Sequence, residues 1–346
     1  MVEAIARDAE GVRDMPQPRL TFACELSSER LEDLFADRSI IAGLRALNSR
    51  VALALAAFTP ERAGVVHRLN DEGVPVVAIP LLSFDEGYYF TAGNFLRAAD
   101  RYGEWKAWTE EQRLVWDAVG LDIEPDVRVY QQIADNPWGV VPMLLPRILQ
   151  RDRPRRAAAA YAGLVARIRA DGWQVENYQF PLIADERRAG SDLLQRLAGL
   201  VEVSTDREVW MLYSSFLLSV GPGMIWSYGP EASAIAVGST GGAPDIPGHP
   251  QVPSLGWGEL ERDLLLASRF CDDLYIHSLE GCVEHGFFER ISSIGWEEQA
   301  GPPDTARRPS GIRGLLTAAL WTSAHPALTL GGVVASAWVW SRARRR

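Results

Sequence analysis

Between Arg19 and Ile294 the chain repeats one unit eight times: a short apolar run, a turn, then an amphipathic stretch of helix length. The runs are Leu20–Leu26, Val51–Phe58, Val74–Leu82, Val119–Glu124, Trp173–Ile183, Glu208–Phe216, Ala234–Gly242 and Asp273–Leu279. Several are apolar at every position, as in VALALAAF, which is the pattern of a parallel strand buried on both faces. Helix-start signals follow them. Ser27-Ser28-Glu29 opens a helix expected to reach about Leu47, and Thr59-Pro60-Glu61 places proline at a first helical position. Further helices are expected at Phe95–Leu114, across 126–171 with breaks at Asn136-Pro137 and Arg153-Pro154, and at Ser191–Val201, Ser254–Phe270 and Gly286–Ile294. Eight strands alternating with helices over about 260 residues predict an α/β fold, a single-domain (β/α)8 TIM barrel over residues 19–300. A lead-in, 1–18, precedes it and a hydrophobic tail, 301–346, follows. An open doubly wound sheet is the alternative, but the first strand runs into ELSSER where a dinucleotide fold would carry GxGxxG.

The fourth strand carries the chemistry. In Trp116–Asp126, WDAVGLDIEPD, alternate side chains share a face, so Gly120, Asp122 and Glu124 point one way and Val119, Leu121 and Ile123 the other. Pro125 then ends the ladder. Two carboxyls therefore project from the carboxyl end of a buried strand, where barrel enzymes assemble their active sites. An enclosed carboxyl keeps its proton and an outer one faces the cleft, a pairing suited to general acid catalysis. By that logic Glu124 is the candidate proton donor and Asp122 the deeper partner that orients it. A structural ion pair with an arginine is the competing reading.

The other strand ends supply Glu25, Asp85 and Glu86 after Ser83, Tyr178 with Gln179, Tyr213 with Ser214, Ser239-Thr240, and His277 with Glu280. Tyr213 and Glu280 join the catalytic candidates, Glu280 as base or nucleophile. Glu25, Asp85, Glu86, Tyr178, Gln179 and His277 are candidates for substrate binding. Each has a plainer alternative: Glu280 capping the next helix, Tyr213 and Met211 filling the barrel, Asp85 and Glu86 solvating a loop, His277 as a buried imidazole. Lysine occurs once, at Lys106, which argues against Schiff-base chemistry. Glu25, Asp122, Glu124, Glu280 and His277 form a conceivable metal set, but the HxH of a barrel amidohydrolase is missing, and metal catalysis ranks third. The preferred reading needs no cofactor and no metal.

These motifs resemble those of family-18 chitinases, which carry DGxDxDxE on the fourth barrel strand. Asp117, Asp122 and Glu124 match the first Asp, last Asp and Glu of that motif, whereas Ala118 and Gly120 depart from it. Met211-Leu212-Tyr213-Ser214 keeps Met and Tyr of the family's MxYD, and Ser83 alone survives from SxGG. The resemblance implies a glycoside hydrolase or transglycosylase acting on a carbohydrate. The lost Asp positions cast doubt on acetamido-assisted catalysis. The alternatives are a non-catalytic carbohydrate-binding barrel and a metal-dependent isomerase or hydrolase. Twelve tryptophans, and the aromatic stretches SFDEGYYF and MIWSY, suit a surface on which sugar rings stack.

A net charge of −10 excludes an extended nucleic-acid partner. Three cysteines without a CxxC pair give no disulfide framework. The first residues, MVEAIARDAEGVRDMPQPR, lack the apolar core of a secretory signal. Gly314–Ser341 runs 28 residues without a formal charge, long enough to span a bilayer and followed by RARRR. His325-Pro326 and Gly331-Gly332 divide it, so two helices packed on the domain are the alternative to membrane association through 314–341.

Overall fold

The computed structural model describes residues 17–136, 138–216, 220–242, 253–298 and 300–329. Its strands are β1 Arg19–Cys24, β2 Arg50–Leu55, β3 Val76–Pro80, β4 Ala118–Asp122, β5 Gln174–Gln179, β6 Arg207–Met211, β7 Ala234–Gly238 and β8 Asp273–His277. Each pairs in parallel with the next, and β8 returns to β1 through Leu20↔Leu274 and Ala23↔His277, closing an eight-stranded barrel. The predicted TIM barrel is the fold observed.

The helices are α1 Ser28–Ala36, α2 Arg38–Ala46, α3 Pro60–Asp71, α4 Phe95–Gln112, α5 Val127–Asp135, α6 Val140–Leu144, α7 Asp152–Ala170, α8 Leu182–Ala189, α9 Leu193–Ala198, α10 Gly221–Tyr228, α11 Trp257–Ser268, α12 Leu279–Glu284, α13 Phe288–Ile291 and α14 Arg307–Ala324. Local chemistry sets their ends. Ser27 and Thr59 side chains accept from the backbone N–H of Arg30 and Arg62, and Pro60 opens α3. The helix expected from Ser28 to Leu47 is two, because Asp37 ends α1 and its carboxylate caps α2 through the Ser39 N–H. Pro154 sits in the first turn of α7, where its missing N–H costs nothing, so it opens a helix where a break was expected. The runs read as fifth, sixth and seventh strands overshoot: pairing stops at Gln179, Met211 and Gly238, and Leu182 already begins α8.

Period-2 alternation divides the strand side chains between two cores. Leu20, Phe22, Leu53, Val119, Leu121, Ile235 and Ile276 face the helices. Ala52, Ala54, Val77, Ala118, Tyr178, Met211, Ala236 and Tyr275 fill the barrel. Small residues on β2, β4 and β7 leave room for the large ones on β5, β6 and β8.

Below the mouth the barrel is plugged by ion pairs. Buried Arg50 meets Asp117 at 2.6 Å and Glu176 at 3.0 Å, and Arg207 meets Glu176 at 2.7 Å. The Tyr275 hydroxyl completes the Glu176 shell at 2.7 Å.

The tail docks on the barrel. Arg313 of α14 is buried against α8 and α10, donating to Asp185 at 3.0 Å and to Glu231 at 2.9 Å, with its guanidinium 3.6 Å from the centroid of the Tyr228 ring. Among the described residues no helix is long and apolar enough to cross a membrane, which corrects the reading of 314–341 as a span over its described part; 330–341 lies outside the described residues. The lead-in falls outside them too, apart from residues 17 and 18.

Candidate active site

A cavity of about 460 Å³ opens at the carboxyl end of the barrel. Its floor is small and aliphatic, with Ala52, Ala54, Ile79 and Ala236, and its walls carry Tyr89, Tyr130, Tyr178, Phe180 and Tyr213. Glu25, Asp122 and Glu124 all reach it. Among the described residues lining it there is no lysine or arginine.

Two elements place the carboxyls. Strand β4 ends at Asp122, yet the chain stays tethered for two residues more. The Phe90 N–H donates to the Asp122 carbonyl at 3.0 Å, and the Glu124 N–H donates to the Phe90 carbonyl at 3.1 Å. The loop after β3 therefore extends the ladder as far as Glu124, and Pro125 ends it there. The same loop supplies Tyr88, whose hydroxyl donates to Glu25 at 2.7 Å. Tyr88 has φ +64°, a left-handed conformation that a bulky side chain adopts only when its surroundings impose it. Here the turn over Gly87 and the Glu25 bond hold it in place. Asn94 closes the loop, accepting from the Thr91 N–H at 2.7 Å and donating to the Tyr89 carbonyl at 2.9 Å.

Burial governs the electrostatics. It pushes the Glu25 carboxyl up to about 8, opposed by the Tyr88 hydrogen bond and reinforced by Glu124 and Glu280. Glu124 is pushed up to about 7 by burial, against the Tyr130 hydroxyl that donates to it at 2.8 Å. Asp122 is raised well above the usual range by burial first, then by the charges of Glu124 and Glu25, and its Oδ1 has no hydrogen-bond partner. Arg62, whose donors go to backbone carbonyls, offsets only part of the cost of burial at Glu25, and three crowded acids cannot all ionise, so the cluster holds protons at neutral pH. Across the cavity the Tyr213 ring lies against the His277 imidazole, centroids 5.5 Å apart.

Of the residues singled out from sequence, Glu25, Asp122, Glu124, Tyr178, Tyr213 and His277 converge on this cavity. Four do not. Glu280 lies behind the wall, on α12, accepting from the Glu25 backbone N–H at 3.3 Å; burial raises it to about 7, but it is not positioned as a base or nucleophile in the cavity. Gln179 points away from the barrel interior and donates to the Val201 carbonyl at 3.0 Å, because its neighbour Tyr178 takes the inward position. Glu86 is held by Arg97 at 2.5 Å and by Ser83, and Asp85 stands exposed beside it. Tyr130 escaped the sequence reading, and Tyr88 and Tyr89 entered it only within the aromatic stretch SFDEGYYF, without roles of their own. They sit on a loop and a helix turn, where no period-2 pattern announces direction; the aromatic density of DEGYYF was the available signal.

Two departures from the chitinase motif have structural reasons. A Cβ at Gly120 would meet the Tyr178 ring at 2.7 Å and Ile79 at 3.0 Å, so the position that would carry the middle Asp is occupied by a neighbour's ring. Ser214 turns away from the cavity and hydrogen-bonds buried Asp263 of α11. Among the described residues no tryptophan lines the cavity. Trp105 packs against Trp116 and Trp173 outside the barrel, and Trp226 against Phe270. Among the described residues no group of three His, Cys, Asp or Glu is arranged to hold a metal ion, so the metal set conceived from sequence does not assemble.

No family model and no curated protein sequence matches this chain. Among solved structures a chain described as "Putative aldo-keto reductase from Pseudomona aeruginosa" matches 84% of this chain and 98% of its own length, with 11% identity and a TM-score of 0.42. At that level the likeness concerns the barrel and not its chemistry. The expectation of a family-18-like glycoside hydrolase is corrected here. No family model supports it, and of the motif positions that would complete it Gly120 lies against the Tyr178 ring and Ser214 turns to Asp263.

Proposed function

We propose that the barrel mouth is the active site of an enzyme that moves protons on a neutral or cationic small molecule with an apolar body, in an isomerisation, elimination or addition. The observation that carries this reading is the convergence of Glu25, Asp122 and Glu124 on one cavity whose described lining residues include no lysine or arginine. An anionic ligand would add charge to an acidic pocket, whereas a neutral or amine-bearing one would replace repulsion with hydrogen bonds or ion pairs. Glu124 and Asp122 are the proton-transfer pair. With Glu124 near 7, both its protonation states are populated at neutral pH, as efficient general acid–base catalysis requires. Tyr130 positions Glu124 and Tyr88 positions Glu25 through single hydroxyl bonds. The aliphatic floor takes the apolar part of the ligand and the Tyr213–His277 face closes over it.

The test has two arms. Infrared titration of the carboxyl bands should find protonated carboxyls persisting at pH 7 and diminished in Glu25→Gln and Glu124→Gln. A thermal-shift screen of neutral and amine metabolites should yield ligands, and those ligands should exchange a carbon-bound hydrogen with deuterium oxide in the wild type and not in Glu124→Gln. Cavity carboxyls that all titrate near the usual range of about 4 overturn the proposal. So does oxidation of a nicotinamide nucleotide by a carbonyl substrate at equal rate in wild type and Glu124→Gln.

A further inference from the structure

A second cavity, of about 420 Å³, lies on the flank of the mouth between residues 92–95 and the start of α7. Its lining differs in charge from the first. Arg151, Arg153 and Arg156 face it, with Gln150 and a single acid, Asp152. We propose that this cavity is a binding site for a phosphate-bearing anion.

Partnerless cations make the case. In a chain of net charge −10, several buried or half-buried arginines elsewhere find carboxylates: Arg50 has Asp117 and Glu176, Arg97 has Glu86 and Glu104, and Arg313 has Asp185 and Glu231, while buried Arg62 gives its donors to the Ala54 and Leu26 carbonyls and the Ser28 hydroxyl. Among the described residues Arg151, Arg153, Arg156 and the adjacent Arg147 form no ion pair. Arg153 instead spends its donors on the Ala92 carbonyl at 3.4 Å and the Gln150 amide oxygen at 3.3 Å, and Arg147 donates to the Leu197 carbonyl at 3.2 Å. These bonds fix Arg153 and Arg147 to backbone and amide oxygens without neutralising them. Like charges kept close in this way repel, and burial together with the charge of Arg153 already holds Arg147 below its ordinary value.

The backbone is shaped for the same purpose. Gly93 lies directly under the Arg153 guanidinium, so close that a side chain there would push this flexible group aside. The start of α7 adds its dipole, whose positive end favours an anion. Planar guanidinium forks match phosphate oxygens in pairs, which makes a phosphate group the fitting ligand class.

Phosphate chemistry reaches such a site as a free ion or as a lipid headgroup, and exposed Leu149 at the rim suits the second source as well. Titration calorimetry of the full chain with inorganic pyrophosphate, at constant ionic strength, is the first arm. Vesicles of phosphatidylcholine with and without phosphatidylglycerol are the second. Saturable pyrophosphate binding, weakened at least tenfold in Arg151→Ala/Arg156→Ala and unchanged in a control at exposed Arg290, is the expected result. Binding to anionic vesicles alone, lost in the same double variant, keeps the site and assigns the anion to a headgroup. Both replaced side chains are exposed, so the thermal midpoint should stay; if the double variant does not fold, Arg156→Gln carries the comparison. No binding in either arm, or binding equal in variant and wild type, overturns the proposal.

Discussion

The two ends of the barrel interior bury the same kind of residue and treat it in opposite ways. At the amino end Glu176 is enclosed by Arg50, Arg207 and the Tyr275 hydroxyl, each within 3.0 Å. At the carboxyl end Glu25 and Glu124 receive one tyrosine hydroxyl each, and Asp122 has an oxygen with no partner. A buried carboxylate stays charged when guanidinium groups surround it, and keeps its proton when other acids do. One end is a structural plug and the other a reservoir of protons facing a cavity. The arginines nearest the mouth explain why the asymmetry persists. Arg62 donates to the carbonyls of Ala54 and Leu26, and Arg101 to those of Leu81, Leu55 and Ala56, so their donors tie strand ends together and do not neutralise the acids.

Four changes would break or sharpen that contrast. Glu176→Ala should have the largest effect on the fold, because it leaves two guanidinium groups in the barrel short of a partner; a loss of about 3 kcal/mol in urea denaturation is expected. At the mouth the corresponding change should act on chemistry. With a substrate in hand, Glu124→Gln should lower turnover by roughly 10²-fold or more at unchanged urea midpoint. A comparable loss of stability in both variants would erase the distinction between plug and reservoir.

The third concerns pH. Glu25, Glu124 and Glu280 have folded values near 8, 7 and 7, above those of an unfolded chain. The folded state therefore binds more protons between about pH 4.5 and 8, and their contribution to stability is present below that window and falls as pH rises through it. Glu25→Gln removes one such cost. It should raise stability at pH 8.5 by up to about 4 kcal/mol and by no more than about 1 kcal/mol at pH 5, as read from thermal midpoints. A variant less stable than wild type at pH 8.5 would mean that Glu25 is ionised and paired after all.

The smallest effect belongs to Tyr130→Phe. Its hydroxyl stabilises the Glu124 carboxylate, so its loss should move the Glu124 titration to higher pH and change the rate by roughly two- to tenfold. The pH profile is the decisive readout, since a purely structural role would lower activity without moving it.

Much of this architecture was legible in the chain because it rests on periodicity. Eight apolar runs separated by capped helices specify a parallel barrel, and period-2 alternation in LDIEP brings Asp122 and Glu124 to one face. The same rule placed Tyr178, Tyr213 and His277 at the cavity. It failed where the backbone leaves the strand. Glu280 follows β8 by three residues and by then belongs to α12, behind the wall; Asp85 and Glu86 belong to a turn that faces solvent. Motif spacing also misled at Gly120, since a gap in a pattern cannot be told from space reserved for another strand's ring.

The amino-acid order alone determined which residues point into the barrel, because a strand has only two faces and the helices must cover one of them. Only the closed structure decided which inward acids meet a cation. That depends on side chains arriving from strands and loops far apart in sequence, and on where each guanidinium finds its acceptors. Coulombic compensation is a property of three-dimensional neighbours, and no local pattern along a chain records it.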